Sequence, residues 1–389
     1  MPVANATFLP FHRTAIEQEE IDAVVEVLRS GWLTSGPRVK EFESAFARFT
    51  QAAHALAVNS CTSALHLALT VCGIQEGHEV ILPTMTFAAS GEVILYCKAR
   101  PVLIDCAKNS FHIDPEQIER AITSRTRAIV PVHYAGYPCN MDAILDTARR
   151  HRLHVIEDAA HSFPSRYNGK MIGALGDITC FSFYATKTLT TGEGGMVTTQ
   201  NSEYAERMRI LSLHGISKDA WKRYTAEGTW RYEILEAGFK YNLGDLQAAI
   251  GLVQLGKAER LRLRRAAIAH RYSLVLASLE AFDPPPEPAD DGHAWHLYVI
   301  RVNQHRLRIG RDQVIEELKT RGIGTSVHFI PLHLHPLYQK QLGYRTGQFP
   351  CAEEQFERAI SLPLFPGMTD AEVDQVLEAL QDISSTFRR

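Results

Sequence analysis

From residue 54 onward the chain alternates short β-branched or apolar runs with longer stretches whose apolar positions recur every three to four residues. HALAVNS precedes CTSALHLALTVC, EVILP precedes TFAASGEVILYCKA, RPVLIDC precedes DPEQIERAI, and TRAIVPVHY precedes NMDAILDTARRHR. Short unbroken apolar runs fit strands covered on both faces, and helical crossovers between them give a mostly parallel sheet, so an α/β fold is predicted. HVIEDAA, ITCFSFY and GGMVTT extend that sheet. After Asn242 the texture changes. A long amphipathic helix is expected from Asp245 to Leu279, ended by the proline-rich loop DPPPEP. A strand HAWHLYVIRV, a helix RDQVIEELKTRG closed by Gly322, and a last helix from Asp370 to Ile383 make a smaller α+β unit. The division predicted is a large unit over 1–250 and a small one over 251–389.

Composition narrows the partners. The 389 residues carry 41 Lys and Arg against 44 Asp and Glu, a net charge of −3, so no polyanion-binding surface and no nucleic acid partner is expected. The basic stretch KAERLRLRRAAIAHR spreads its charges around Leu261, Leu263 and Ile268 and reads as a solvated helix face. A basic-then-apolar leader and a run of about 18 apolar residues are both missing, which predicts a cytoplasmic protein without membrane insertion. The seven cysteines form no CxxC pair and leave one over, as reduced and mostly buried thiols would.

Several familiar chemistries fail on their own motifs. GWLTSGP has P-loop glycines, but Pro37 stands where the phosphate-binding lysine belongs. GxGxxG and GxSxG are missing, and the histidines His328, His333 and His335 of HFIPLHLHP lack neighbouring carboxylates or cysteines, so no metal site is predicted. Four segments at strand ends do complement one another. HVIEDAAH places Asp158 at the carboxyl end of an apolar run, where an α/β sheet holds ligands; alone it would read as a helix cap. FSFYATKTLTTGEGG presents Lys187 in a loop among small and hydroxyl residues, where a desolvated amine can form a Schiff base, although an isolated loop lysine is ordinarily solvated. Thr62 and Ser63, at a helix start, and Ser182 offer hydroxyls and helix amides to a phosphate monoester, or simple capping. Phe87 in LPTMTF offers a flat ring for stacking or for the core. An amine, a carboxylate for a pyridinium nitrogen, a phosphate cup and a stacking ring are what pyridoxal 5'-phosphate requires.

The segments VNSCTSALH, TFAAS, PVHYAGYPCNMDAI, VIEDAAHS, FSFYATKTLTTGEGG, LHGI and FKYNLGDLQAAIG resemble the DegT/DnrJ/EryC1/StrS family of pyridoxal-phosphate sugar aminotransferases. AGYPCNMDAI, HAWHLYVIRV and GIGTSVHF further resemble the members that aminate the 4-keto group of a UDP-linked pentose, the UDP-4-amino-4-deoxy-L-arabinose oxoglutarate aminotransferase group. The resemblance implies fold type I of the pyridoxal-phosphate enzymes, the aspartate aminotransferase type: a large mixed-sheet domain plus a small C-terminal α+β domain, assembled as a homodimer with shared active sites. It implies Lys187 as the Schiff-base lysine and proton shuttle, Asp158 at the pyridinium, Phe87 stacked on the ring and His161 beside it. Thr62, Ser63 and Ser182 are then phosphate ligands, joined by Asn242 from the other subunit. Trp32, Thr34, Tyr184 and His328 approach the sugar nucleotide, and L-glutamate and 2-oxoglutarate are the amino donor and its product. Phe87 and Tyr184 depart from the tryptophan and histidine usual at those two places in the pentose enzymes. The alternatives are a 3-keto sugar nucleotide or a cyclitol ketone as acceptor, and a pyridoxal-phosphate-binding regulator without turnover, which would not need the proton shuttle.

Overall fold

In a computed structural model that describes residues 8–217, 232–288 and 292–389, the alternating pattern becomes alternating strands and helices. Helices α1 (Gln18–Ser30) and α2 (Pro37–Thr50) come first. Then follow β1 (His54–Val58), α3 (Cys61–Val71), β2 (Glu79–Pro83), α4 (Ala88–Tyr96), β3 (Arg100–Ile104), α5 (Pro115–Ala121), β4 (Thr126–Ile129), α6 (Met141–His151) and β5 (His154–Asp158). A small hairpin, β6 (Arg166–Tyr167) and β7 (Lys170–Met171), separates β5 from β8 (Ile178–Ser182), β9 (Gly195–Thr199) and α7 (Ser202–Leu211). The rest comprises α8 (Asp245–Leu276), β10 (Phe282–Asp283), β11 (Tyr298–Val302), α9 (Arg311–Thr320), α10 (Pro336–Leu342), α11 (Pro350–Arg358), β12 (Ala359–Leu362) and α12 (Asp370–Thr386).

Seven strands form one mixed sheet in the order β1-β9-β8-β5-β4-β2-β3. Strands β8, β5, β4, β2 and β3 run parallel, while β9 runs against both β8 and β1. β1 therefore points the same way as β8. The carboxyl ends of β1, β2, β5 and β8 share one edge, which is where α/β sheets hold ligands. The unbroken apolar runs are explained by two-sided burial: in β2, Val80 and Leu82 pack with Leu67 and Leu69 of α3, whereas Ile81 faces Ile118, Ile129 and Ile144 on the opposite side. A further cluster around Phe42, Phe46, Phe181 and Phe183 joins α2 to the β8 side of the sheet.

A second core gathers Ile268, Tyr272, Tyr298, Ile300, Val314 and Leu380 around the antiparallel sheet β10-β11-β12, and Leu9 from the start of the chain enters it. Leu9 is tied there by backbone bonds to Gly322 and Gly324.

Two expectations change. HAWHLYVIRV pairs as a strand only from Tyr298. Its first half bonds the loop after β4 instead, Ala294 N–H to the Gly136 carbonyl at 2.9 Å and Leu297 N–H to the Ala135 carbonyl at 3.2 Å, with Trp295 at φ +50°. The basic stretch of α8 is a solvated face only in part: Arg260 and His270 are exposed, but Lys257, Arg262 and Arg265 are buried while Leu263 is 53% exposed. The reason is that α8 lies between α1 and α2 at its start and the second core at its end. Lys257 is enclosed by Glu17, Glu19 and Glu20, and Arg265 donates to the Leu364 carbonyl. All seven cysteines are free thiols. Among the described residues, no helix is long and apolar enough to cross a membrane.

Candidate active site

Asp158 ends β5 and is 5% exposed. Its Oδ1 accepts the Ala160 N–H at 3.1 Å and its Oδ2 accepts the Ser90 hydroxyl at 2.6 Å. Both donors are neutral, whereas a buried carboxylate calls for a cation. Lys187 supplies the nearby positive charge. It lies in the turn after β8, its N–H bonded to the Tyr184 carbonyl at 2.9 Å. Desolvation pushes the Lys187 ammonium down from 10.5 to about 8, against the pull of Asp158. A lysine so placed gives up its proton at about pH 8.

Two histidines feel the same charge. His161 is buried, and its Nδ1 accepts the Ala135 N–H at 3.3 Å, so its proton sits on Nε2. Burial first, then Lys187, hold it neutral well below the usual histidine range. For His328, burial and Lys187 bring the imidazole to about 4. Its Nδ1 meets Ser361 Oγ at 2.8 Å, and its carbonyl accepts the buried Tyr134 hydroxyl. Phe329 stacks on His161 with ring centroids 5.6 Å apart and stands 5.7 Å from Phe87. Phe87 is the residue before α4, and its ring is 59% exposed.

At the end of β1 the chain turns into α3. Ser60 caps that helix by accepting the Ser63 N–H at 3.1 Å. The Ser63 hydroxyl is turned to Asn59 Oδ1 at 2.6 Å and to Ser60 Oγ at 3.0 Å, while Thr62 is half-buried beside them. β9 passes so close that a Cβ on Gly195 would lie 2.6 Å from the Ser60 carbonyl carbon. Only glycine fits there, which accounts for the end of GEGG. Ser182 ends β8, its hydroxyl oxygen accepting the Tyr184 N–H at 3.4 Å, and the Tyr184 ring is 47% exposed.

Trp32, Thr34 and Asn242 form a separate group. Trp32 Nε1 donates to the Ser35 carbonyl at 3.2 Å, the Thr34 carbonyl accepts the Asp245 N–H at 3.2 Å, and the Asn242 amide donates to Ser35 Oγ at 2.7 Å. The two groups meet where Asn242 bridges Val58 and the Asn59 N–H bonds the Tyr241 carbonyl at 2.8 Å. Sequence reasoning passed over Ser90, Tyr134, His296 and Phe329. Ser90 closes the TFAAS motif, so its signal was present. His296 was hidden inside a segment read as strand, and its ring lies 4.4 Å from that of His161. His333 is engaged by Thr84 at 2.7 Å and Glu353 at 2.9 Å, and among the described residues no three metal-binding side chains gather.

A family model described as the DegT/DnrJ/EryC1/StrS aminotransferase family matches residues 14–381. The chain belongs to this family. Over 377 residues it is 50% identical to the spore coat polysaccharide biosynthesis protein SpsC of Bacillus subtilis, covering 97% of each chain. The putative sugar aminotransferase Spr1654 of Streptococcus pneumoniae in its PLP-form superposes with a TM-score of 0.91 at 35% identity, over 97% of this chain and 99% of that one. PseC of Helicobacter pylori, an aminotransferase involved in the biosynthesis of pseudoaminic acid, gives 0.91 at 31% identity, over 98% of this chain and 100% of that one. This DegT-family chain is thus a pyridoxal-phosphate-dependent aminotransferase of fold type I.

The residues fit that cofactor. Asp158 has two neutral donors and, as a carboxylate with about four acceptor positions, keeps capacity for the N–H of a pyridinium. Lys187 is an amine close to its neutral form, and the capped start of α3 offers amides to a phosphate. When bound, pyridoxal phosphate supplies the electron sink that makes an amino-acid Cα–H acidic.

Proposed function

We propose that this aminotransferase moves an amino group from L-glutamate to the 4-keto group of a nucleotide-linked sugar, a UDP-linked pentose or 6-deoxyhexose. Lys187 takes the proton from one carbon and returns it to another in both halves of the reaction. Asp158 holds the pyridinium nitrogen, Phe87 and His161 bracket the ring, and Thr62, Ser63 and Ser182 hold the phosphate. Asn242 completes the phosphate site across a homodimer, while Trp32, Thr34, Tyr184 and His328 approach the sugar nucleotide. The chain is read as a cofactor-binding unit over 1–250 and a smaller unit over 251–389, with α8 shared between them.

One observation carries the choice of substrate. The three segments that resemble the pentose enzymes converge: AGY bonds HAWHL through Ala135 and Gly136, and the Tyr134 hydroxyl before it holds the His328 carbonyl of GIGTSVHF. They come together beside His161, as a substrate-selecting wall would. The roles of SpsC and PseC, in spore coat polysaccharide and pseudoaminic acid biosynthesis, support a sugar acceptor. Tyr184 favours the hexose as second choice, since one extra methyl is worth only about 1 to 3 kcal/mol of discrimination in an apolar pocket. The test compares kcat/KM for UDP-4-keto-pentose, UDP-4-keto-6-deoxyhexose and dTDP-3-keto-6-deoxyhexose with glutamate as donor. A UDP-4-keto sugar is expected to lead. Preference for the 3-keto compound would overturn the regiochemistry, and preference for dTDP the nucleotide.

A further inference from the structure

Asp158 is the residue on which the proposed cofactor chemistry leans most, and its own segment fixes one carboxylate oxygen, Oδ1, through the Ala160 N–H at 3.1 Å. The other oxygen is fixed by α4. Ser90, in the first turn of α4 and wholly buried, donates its hydroxyl to Asp158 Oδ2 at 2.6 Å. A carboxylate accepts only, so the single Ser90 proton is committed to Asp158. The contact between Thr86 Oγ1 and Ser90 Oγ at 2.7 Å must then run from Thr86 to Ser90. Thr86 is 1% exposed. The result is a one-way relay, Thr86 to Ser90 to Asp158, in which each bond polarises the next.

The relay has a second consequence. Phe87 stands between Thr86 and α4, and the Ser90 N–H bonds the Phe87 carbonyl at 3.2 Å. The serine that orients Asp158 therefore also closes the turn that presents the Phe87 ring. Phe87 and Asp158 come from two strands separated by β4, after β2 and at the end of β5, and Ser90 is a hydrogen-bonded link between them.

We infer that Ser90 is a positioning residue: backed by Thr86, it holds the Asp158 carboxylate toward the pyridinium nitrogen and locks the distance between that contact and the stacking ring. This rests on the assignment of Asp158 made above. The expected effects are on cofactor retention and turnover, with little change in recognition of the sugar or the amino donor.

The test measures the dissociation constant for pyridoxal phosphate by equilibrium titration of the apoprotein, together with kcat and both KM values, for Ser90→Ala, Ser90→Thr, Thr86→Val, Asp158→Asn and the Ser90→Ala/Asp158→Asn double variant. Loss of one charge-assisted bond predicts cofactor binding weaker by about tenfold or more in Ser90→Ala, a lower kcat, and KM values within about twofold. Ser90→Thr keeps the hydroxyl and should restore affinity. Thr86→Val should show the same change to a smaller degree. If Ser90 acts through Asp158, the double variant is no worse than Asp158→Asn alone. Parental affinity in Ser90→Ala, or losses that add in the double variant, overturns the inference while leaving Asp158 in place. Parental behaviour of Asp158→Asn itself overturns the assignment of Asp158, and the inference with it. Thermal melting of each apoprotein separates these losses from unfolding.

Discussion

The proposed reaction concentrates its proton transfers in one amine, Lys187, and the environment of that amine sets its protonation. Because burial lowers its folded value to about 8 from 10.5, its protonated form is penalised in the folded chain. The sign follows directly: the penalty is present in full below pH 8 and fades between 8 and 10.5, where the unfolded chain still holds the proton and the folded chain has lost it. Apoprotein carrying Lys187→Met should accordingly melt above the parent at pH 7, with the gap closing toward pH 10; equal melting temperatures at pH 7 would contradict the desolvated lysine. In the apoprotein, imine formation with added pyridoxal phosphate, which needs neutral Lys187, should speed up with pH to about 8 and then level off. Borohydride reduction should fix the cofactor to Lys187, and an adduct on any other lysine would remove the assignment. At the same scale, Asp158→Asn takes away the charge proposed to face the ring nitrogen, so kcat should fall by a factor on the order of a hundred or more while the fold persists.

At the scale of elements, the site depends on strands that end at the same edge and on how closely two of them approach. β9 runs opposite to its neighbours and must cross the turn between β1 and α3, and Gly195 is what lets it do so. Gly195→Ala forces a methyl into the Ser60 carbonyl, a clash with backbone that cannot move aside like a flexible side chain. A loss of about 1 to 3 kcal/mol is expected, with weakened phosphate binding as the turn shifts. Chemical unfolding with and without inorganic phosphate checks both; unchanged stability would show that the turn has room to give. Helix α8 teaches a different lesson. Its start carries Asp245, which accepts the N–H groups of Gly36, Arg38 and Val39 and so pins the loop bearing Trp32 and Thr34. Its end, through Ile268 and Tyr272, belongs to the second core. A helix serving two bodies has no single wet face, which is why its charge pattern misleads when read alone.

For the molecule as a whole, the proposed homodimer with shared sites makes the sharpest demand on assembly. Within one chain the Asn242 side chain is held by Ser35 and Lys240, and its backbone bridges Val58 at the end of β1. If Asn242 serves the partner's phosphate, mixing inactive Lys187→Ala with inactive Asn242→Asp should restore part of the activity through one intact site per heterodimer; no recovery after verified subunit exchange would count against sharing. Much of this architecture was open to reading in the chain. The unbroken apolar runs specified parallel strands because a strand buried on both faces tolerates no polar alternation. The limits of β2 and the start of α8 at Asp245 fall where apolar runs, prolines and acidic residues place them. Lys187, Asp158 and the glycine loop could be singled out because the proposed chemistry restricts those positions to particular residue types. What the linear pattern could not convey was contact between distant segments. Ser90 bonds Asp158, His296 joins His161, Leu9 enters the far core, and Lys257 and Arg265 of α8 go inside. Each is fixed by a partner many residues away, and a hydroxyl, an imidazole or a guanidinium carries no mark in sequence of whether its partner is water or protein. The local alphabet determined the strands and the reactive groups; only the packing of the sheet edge against α4, α8 and the C-terminal unit decided which of those groups face one another.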